Sequence, residues 1–413
     1  MRDVILRLQH FLTPRRLTYA YLAGGALWLG WLLSMLLGPG NRDLAGHLIG
    51  ADFMAGYTGG KIVQLGRSPD LYDLSFQHTL QQSLVGGTWT DFEIFVNPPF
   101  YALLFVPLVH LPYLVSVALW MALSLAGLAL SVRIWDSERP LRSSLWALTW
   151  LPVFATISYG QNALLSLTLF SLTYALWRRG RPVAAGLLCS LLAYKPQLLL
   201  GIGLLWLLNW RRDWRALLGL SLGGGVLGSL SFGLMPEASR AYVTFSREVL
   251  PGFIAWPGYP LWNMHTLRGF WLLLLPGRLP LVDALSLILS ALGLWGFVRF
   301  WQRYRGNKAL LFAGAICLTL WLTPHAMIYD WTLLLIPALV FWNEVPQWRE
   351  RWRALYALVW LATFISGPLT YVQLQHFPVA VQLSVPVLAV VFYQAYRWLV
   401  VENSTFFLLS ETN

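Results

Sequence analysis

Charge is what this sequence has least of. Asp, Glu, Lys and Arg make up 11% of its 413 residues while 57% are hydrophobic, against about 25% charged residues in a soluble domain. So few charged side chains cannot cover so much apolar surface. A water-soluble globular fold is therefore excluded and an integral membrane protein is expected. Cysteine is almost missing too. Cys189 and Cys317 both lie within apolar runs, which excludes a disulfide framework or a cysteine-ligated zinc site. No Walker loop and no HExxH zinc pair occurs, so neither nucleotide coupling nor a zincin site is indicated. The formal charge of +11 raises the question of nucleic acid. The basic residues form short clusters between apolar runs, however, with no continuous stripe, so membrane lipids are the expected partners and nucleic acid is not.

What the sequence has in abundance is apolar runs. About twelve are candidate membrane spans, near 17–38, 113–132, 143–158, 162–177, 182–194, 197–210, 216–235, 279–298, 309–323, 330–342, 354–373 and 378–396. The first follows Arg2, Arg7, Arg15 and Arg16 and reads as a retained signal anchor. With the N-terminus in the cytoplasm and strict alternation, 21 of the 29 Lys and Arg residues fall on the cytoplasmic side and 8 on the other. That bias fixes the expected orientation, with both termini cytoplasmic. The sequon at Asn403 then faces the cytoplasm. Asn97–Pro112 is apolar but short and broken by prolines. Counting it as a span would invert every later loop, so it is read as a re-entrant or interface-lying helix within a long outer loop, 39–112. Likewise 182–210 reads as two short helices meeting near Lys195. No soluble stretch is long enough for a second core, so 1–413 is read as a single membrane domain.

Under this topology the polar residues set in apolar context gather at the outer face. Asp52 follows the first span in a glycine-rich, aromatic stretch that holds Tyr57, with Asp43 nine residues earlier. A carboxylate there suits a general base, or else the cap of a helix starting at Phe53. Gln161 and Asn162 offer amides matched to sugar hydroxyls, or a turn and a helix cap. Lys195 is one of three lysines. A lysine in apolar surroundings is costly, about 2.5–3.5 kcal/mol at mid-bilayer, so it faces a cavity with a partner or snorkels to the surface. Its ammonium suits a phosphate. His325 and Asp330 lie five apart after Pro324 and read as a phosphate contact and its orienting carboxylate, or as a structural pair. The 236–278 loop adds Trp256, Tyr259, Trp262, Asn263, His265 and Arg268, which read as sugar or lipid contacts or as an interfacial belt.

Taken in order, the stretches ADFMAGYTGGKIVQLGRSPDLYD (51–73), NPPFYALLFVPLVHLP (97–112), 159–200 around YGQN and YKPQ, LWNMHTLRG (261–269) and TPHAMIYDWTLLLIPAL (323–339) resemble glycosyltransferase family 87, the polyprenyl-phosphate-sugar-dependent membrane glycosyltransferases. The resemblance implies a GT-C fold: an all-α polytopic bundle of about twelve helices whose first outer loop carries the catalytic acid and interface helices. It implies hexosyl transfer, of mannose in particular, from a polyprenyl-phosphate donor to a lipid or glycan acceptor on the outer face of the cell membrane. Asp52 matches the family's acidic residue, Lys195 its K-P lysine, and His325 the polar residue near the late proline. Arg268, Gln161, Asn162, Asn263, Tyr57, Asp330 and Asp43 are the further candidates for substrate. No cofactor is implied, and the two aspartates leave a divalent metal open. The rival reading is a transporter or flippase of a lipid-linked sugar, and the bland one a membrane scaffold. The long outer loop, with no paired broken helices, favours the enzyme.

Overall fold

A computed structural model describes residues 12–86, 91–256 and 258–402. Arg2, Arg7 and the Asn403 sequon lie outside the described residues. The described chain is helical, and its only β pairings are two isolated bridges, Arg42 with Leu48 and Met264 with Met327. Each expected apolar segment contains helix, although the one expected over 378–396 begins only at Ser384. In an apolar solvent only a helix satisfies the backbone groups of a single segment. The ends follow local chemistry. Proline opens the helices Pro140–Leu148, Pro182–Ser190 and Pro236–Glu248, where its missing N–H costs nothing. Side chains of Asn307 and Thr266 accept N–H groups at the starts of Lys308–Leu322 and Leu267–Leu274.

Six helices are long and apolar enough to cross a membrane. They include Pro14–Leu37, Tyr113–Trp135, Trp210–Leu234, Leu279–Arg303 and Arg349–His376. The sixth runs from 384 to 402 and ends in a π-helical turn. Shorter apolar helices fill the middle: Ala163–Arg178, Lys308–Leu322, and the pair that meets at Lys195. Ten of the fifteen residues of Lys308–Leu322 are buried, whereas 11% of the apolar window of Leu279–Arg303 is. The short helices thus form the core and several long ones its lipid-facing coat. Close approach in the core depends on glycine. A Cβ on Gly201 would stand 2.0 Å from the Ala315 carbonyl oxygen.

The segment expected as one span at 143–158 is two helices, Pro140–Leu148 and Leu151–Tyr159, separated at the extended Trp150. Pro152, which lacks an N–H, opens the second. The 182–210 segment is broken, with 3-10 turns at Leu191–Tyr194 and Pro196–Leu198 flanking Lys195.

The connection from 39 to 112 carries the helices Phe53–Gln64 and Leu74–Val85. Asn97–Pro112 is two short pieces, Pro99–Leu103 and Leu108–His110, because prolines at 107 and 112 interrupt it. Before it runs an extended stretch pinned by two fully buried glutamines. Gln81 donates to the Glu93 carbonyl at 2.6 Å and accepts from the Glu93 N–H at 3.1 Å. Gln77 accepts from the Phe95 N–H at 2.9 Å. The two glutamines are i and i+4 on one helix face, so they meet the extended chain like the edge of a neighbouring strand.

Candidate active site

Asp52 immediately precedes Phe53–Gln64, yet its side chain makes no capping bond. Its backbone N–H donates to the Tyr159 carbonyl at 2.9 Å, and its Oδ2 accepts from Gln161 Nε2 at 2.6 Å. The helix-cap explanation therefore does not account for the residue. The approach is possible because Gly160 ends the Leu151–Tyr159 helix at φ +73, and a Cβ there would stand 2.8 Å from Phe53 Cβ. Surrounding protein pushes the Asp52 carboxyl up to about 6, against the opposing pull of the Gln161 bond and the Lys195 charge. One carboxylate oxygen is thus held by an amide, and burial makes the group a stronger proton acceptor than an ordinary carboxylate.

Lys195 sits at the break between the two short helices, where the chain is neither α nor 3-10. Its ammonium donates to Asp330 Oδ1 at 2.8 Å, with the side chains 16% and 6% exposed. It also lies 5.2 Å from the centre of the Tyr329 ring. Asp330 Oδ2 accepts the Met327 N–H at 3.1 Å. Both Asp330 oxygens are engaged, by Lys195 and by the backbone, and no hydrogen bond joins Asp330 to His325. His325 feels both charges. Burial is the larger effect and holds its imidazole below the ordinary range, favouring the neutral ring. Tyr259 stands against His325, ring centres 6.2 Å apart. An ammonium has three N–H donors, so the Asp330 bond leaves Lys195 others to offer.

A second set of contacts holds these groups. Asn162 donates to the Tyr101 hydroxyl at 2.9 Å. Tyr101 stacks on Tyr194 at 4.6 Å, and the Tyr194 hydroxyl meets Ser166 Oγ at 2.6 Å. Asn97 donates to the Tyr194 carbonyl at 2.9 Å. The proline-broken stretch 97–112 thereby fixes the residue before Lys195. On the other side, the His265 N–H donates to the Ala326 carbonyl at 2.8 Å and Trp331 Nε1 to the His265 carbonyl at 3.1 Å. His265 is buried, its Nδ1 2.6 Å from Ser384 Oγ, and burial pushes its ring down to about 3. It is a neutral pin between the 261–266 and 324–331 segments.

Asp52, Gln161, Lys195, His325 and Asp330, drawn from four separate stretches of chain, thus share one electrostatic neighbourhood. Asn162 faces the Tyr101 network beside it. Asn263 is buried at the end of the Leu261–Asn263 turn, just before the Met264–Met327 bridge. The remaining candidates have partners elsewhere. The Tyr57 hydroxyl donates to the Leu111 carbonyl at 3.0 Å. Asp43 accepts the His47 N–H at 2.9 Å in the turn after the first helix. Arg268 pairs with Asp283 at 3.1 Å.

Glu93 is a further acid at this place, unnoticed in the sequence. Burial and the charges of Asp52 and Asp91 hold its carboxyl well above the usual range. Tyr329 lies in the field of both Glu93 and Asp52. Nothing in the local sequence marks Glu93, because the glutamine clamp that presents it comes from the preceding helix. Among the described residues, no three His, Cys, Asp or Glu side chains converge to hold a metal ion.

Comparison with known proteins gives one match. No curated protein and no solved structure matches the chain. The glycosyltransferase family 87 profile matches residues 95–324, more than half of the sequence. The matched span contains Gln161, Asn162, Lys195, Asn263 and Arg268, and leaves Asp52, Glu93, His325 and Asp330 outside it. An all-α chain with membrane-length helices and a profile match of that extent belongs to glycosyltransferase family 87 and is a membrane glycosyltransferase.

Proposed function

We propose that this glycosyltransferase moves a hexose, mannose in the first instance, from a polyprenyl-phosphate donor to a lipid or glycan acceptor, with inversion, at the outer face of the cell membrane. The observation that carries the reading is the Asp52 carboxylate, tethered by Gln161 and lying in the field of the Lys195 ammonium. An acceptor hydroxyl gives its proton to Asp52 as its oxygen bonds to the anomeric carbon. The bond from that carbon to the donor phosphate oxygen breaks on the opposite face. The polyprenyl phosphate leaves with the electron pair and one more negative charge. Lys195, with N–H donors beyond the Asp330 bond, stabilises that charge. His325 as a neutral ring donates one hydrogen bond. Asp330 keeps the ammonium in place.

A lipid phosphate is a competent leaving group without a nucleotide site, in agreement with the missing Walker loop. We take the chain to cross the membrane about twelve times as a single domain, short central helices included, with both termini cytoplasmic. The bias of basic residues supports that orientation. Family membership favours transfer over transport.

The test is sugar transfer by purified protein in liposomes, supplied with polyprenyl-phosphate mannose and a membrane-lipid acceptor extract, wild type beside Asp52→Asn. Transfer by wild type and its loss in a folded variant supports the reading. Equal transfer by both removes Asp52 from the chemistry. Transfer from polyprenyl-phosphate glucose alone changes the sugar and keeps the mechanism.

A further inference from the structure

At the end of the helices opposite Asp52 lies an open groove of about 310 Å³, lined by Trp177, Gly180, Pro182, Arg212, Asp213, Trp214, Arg215 and Lys308. Connectivity alone fixes that placement. Ala163–Arg178 begins beside Gln161 and ends at the groove. Lys308–Leu322 begins at the groove and ends at the His325 segment. Nothing in the proposed transfer uses these residues.

The groove brings three cations to one carboxylate. Among the described residues, none of Arg212, Arg215 and Lys308 forms an ion pair with an acid. Its floor is rigid. Lys308 donates to the Trp177 carbonyl at 2.9 Å and lies 4.9 Å from the Trp177 ring centre. Trp177 Nε1 donates to buried Asp213 at 2.8 Å. The one acid is thus hydrogen-bonded to the indole and shared electrostatically between Lys308 and Arg212, so the three cations outnumber the single carboxylate. The rim is aromatic. Trp214, 49% exposed, carries the Arg215 guanidinium at 5.4 Å, and Trp210, 59% exposed, precedes it on the same helix. Exposed tryptophans at the end of a membrane-length helix mark the depth of lipid headgroups. A net cationic groove at that depth fits a phosphate flanked by acyl chains better than it fits a protein surface.

We propose that this groove binds the phosphate headgroup of an anionic phospholipid in the leaflet opposite the active site. The arginines hold the phosphate oxygens, Lys308 adds charge while holding the Trp177 carbonyl at the end of Ala163–Arg178, and the tryptophans lie along the glycerol and upper acyl chains. A bound lipid there ties Ala163–Arg178 to Trp210–Leu234.

The test is thermal unfolding and native mass spectrometry of the full chain, titrated with phosphatidylglycerol, phosphatidylcholine or inorganic phosphate. The variants are Arg212→Gln with Arg215→Gln and, as a control, Arg139→Gln with Arg142→Gln. The control pair removes the same charge at the Pro140–Leu148 helix, whose residues do not line the groove. Phosphatidylglycerol is expected to bind and stabilise the wild type and the control pair, and phosphatidylcholine to do neither. The groove pair is expected to bind phosphatidylglycerol about thirtyfold more weakly, which corresponds to ~1 kcal/mol per arginine. Equal losses in the two pairs reduce the effect to general surface charge and overturn the site. Stabilisation by inorganic phosphate alone, abolished in the groove pair, assigns the groove to a soluble phosphate and overturns the lipid. None of these outcomes depends on sugar transfer.

Discussion

The lipid-facing helices and the central ones obey different rules. In Leu279–Arg303, 11% of the apolar window is buried and the outward side chains are leucine, isoleucine and tryptophan. In Ala163–Arg178, ten of sixteen residues are buried, among them Ser166, Ser171 and Thr173. The first kind satisfies the bilayer by length and composition. The second is at most sixteen residues long, about 24 Å at 1.5 Å per residue, and so stops short of the hydrocarbon thickness of ~30 Å. Where it stops, the backbone is irregular, and irregular backbone at that depth is tolerated only where protein or a polar cavity surrounds it. Gln161, Lys195 and His325 stand at such stops, and Asp52, at the start of Phe53–Gln64, and Asp330, within the turn Ile328–Leu334, meet them there. Much of the site is a consequence of helices that end early.

If that contrast is right, the largest effect comes from the chemistry at the stops. Asp52→Asn should lower transfer by about 10²–10⁴-fold while the purified protein keeps its size-exclusion profile. A parallel change in the coat, such as Leu287→Asn, should leave turnover per folded molecule unchanged. Next is the buried ion pair. Lys195→Met leaves Asp330 without its cation and should cost about 3–5 kcal/mol of stability, read as a fall in melting temperature. Lys195→Met with Asp330→Leu should recover most of it and still be inactive. Equal melting temperatures for the two variants would mean the pair is not a structural link.

Glycine sharpens the same contrast. Gly201→Ala drives a Cβ against the Ala315 carbonyl in the core and should destabilise by about 1–3 kcal/mol. Gly225→Ala, on a long helix with open space around it, should be neutral or stabilising by up to about 1 kcal/mol. Thermal unfolding of both tests whether opposite signs follow the two classes of helix. The smallest effect is a shift in pH dependence. A base raised to about 6 must lose its proton to act, so activity should fall as pH drops through about 6. Glu93→Gln replaces a carboxyl that burial and the Asp52 charge already hold well above the usual range, so it should leave that acid limb close to its wild-type position. Lys195→Gln removes a stabilising cation and should move any residual activity's limb upward. Rate profiles across pH 4.5–8 measure both, on the order of a unit or less.

Hydropathy located the six membrane-length helices, because twenty or so apolar residues have one stable backbone in lipid. It also located the break near Lys195, which Pro196 announces. It read 143–158 as one span, although Pro152 divides it after an extended Trp150. Asp52 and Lys195 stood out because charge is so rare here that each exception is conspicuous. Glu93 did not, because it falls outside the apolar spans, and only the Gln77 and Gln81 clamp from the preceding helix places its chain near Asp52.

The amino-acid sequence by itself determined the solvent, the helices and the rarity of charge, since these follow from composition and local backbone satisfaction. Only the tertiary structure decided which charges meet. It gave Lys195 to Asp330, 135 positions away, and Gln161 to Asp52, 109 positions away. It sent Arg268 to Asp283 instead. Pairing across such separations depends on how helices pack and where they stop, which no local run of residues encodes.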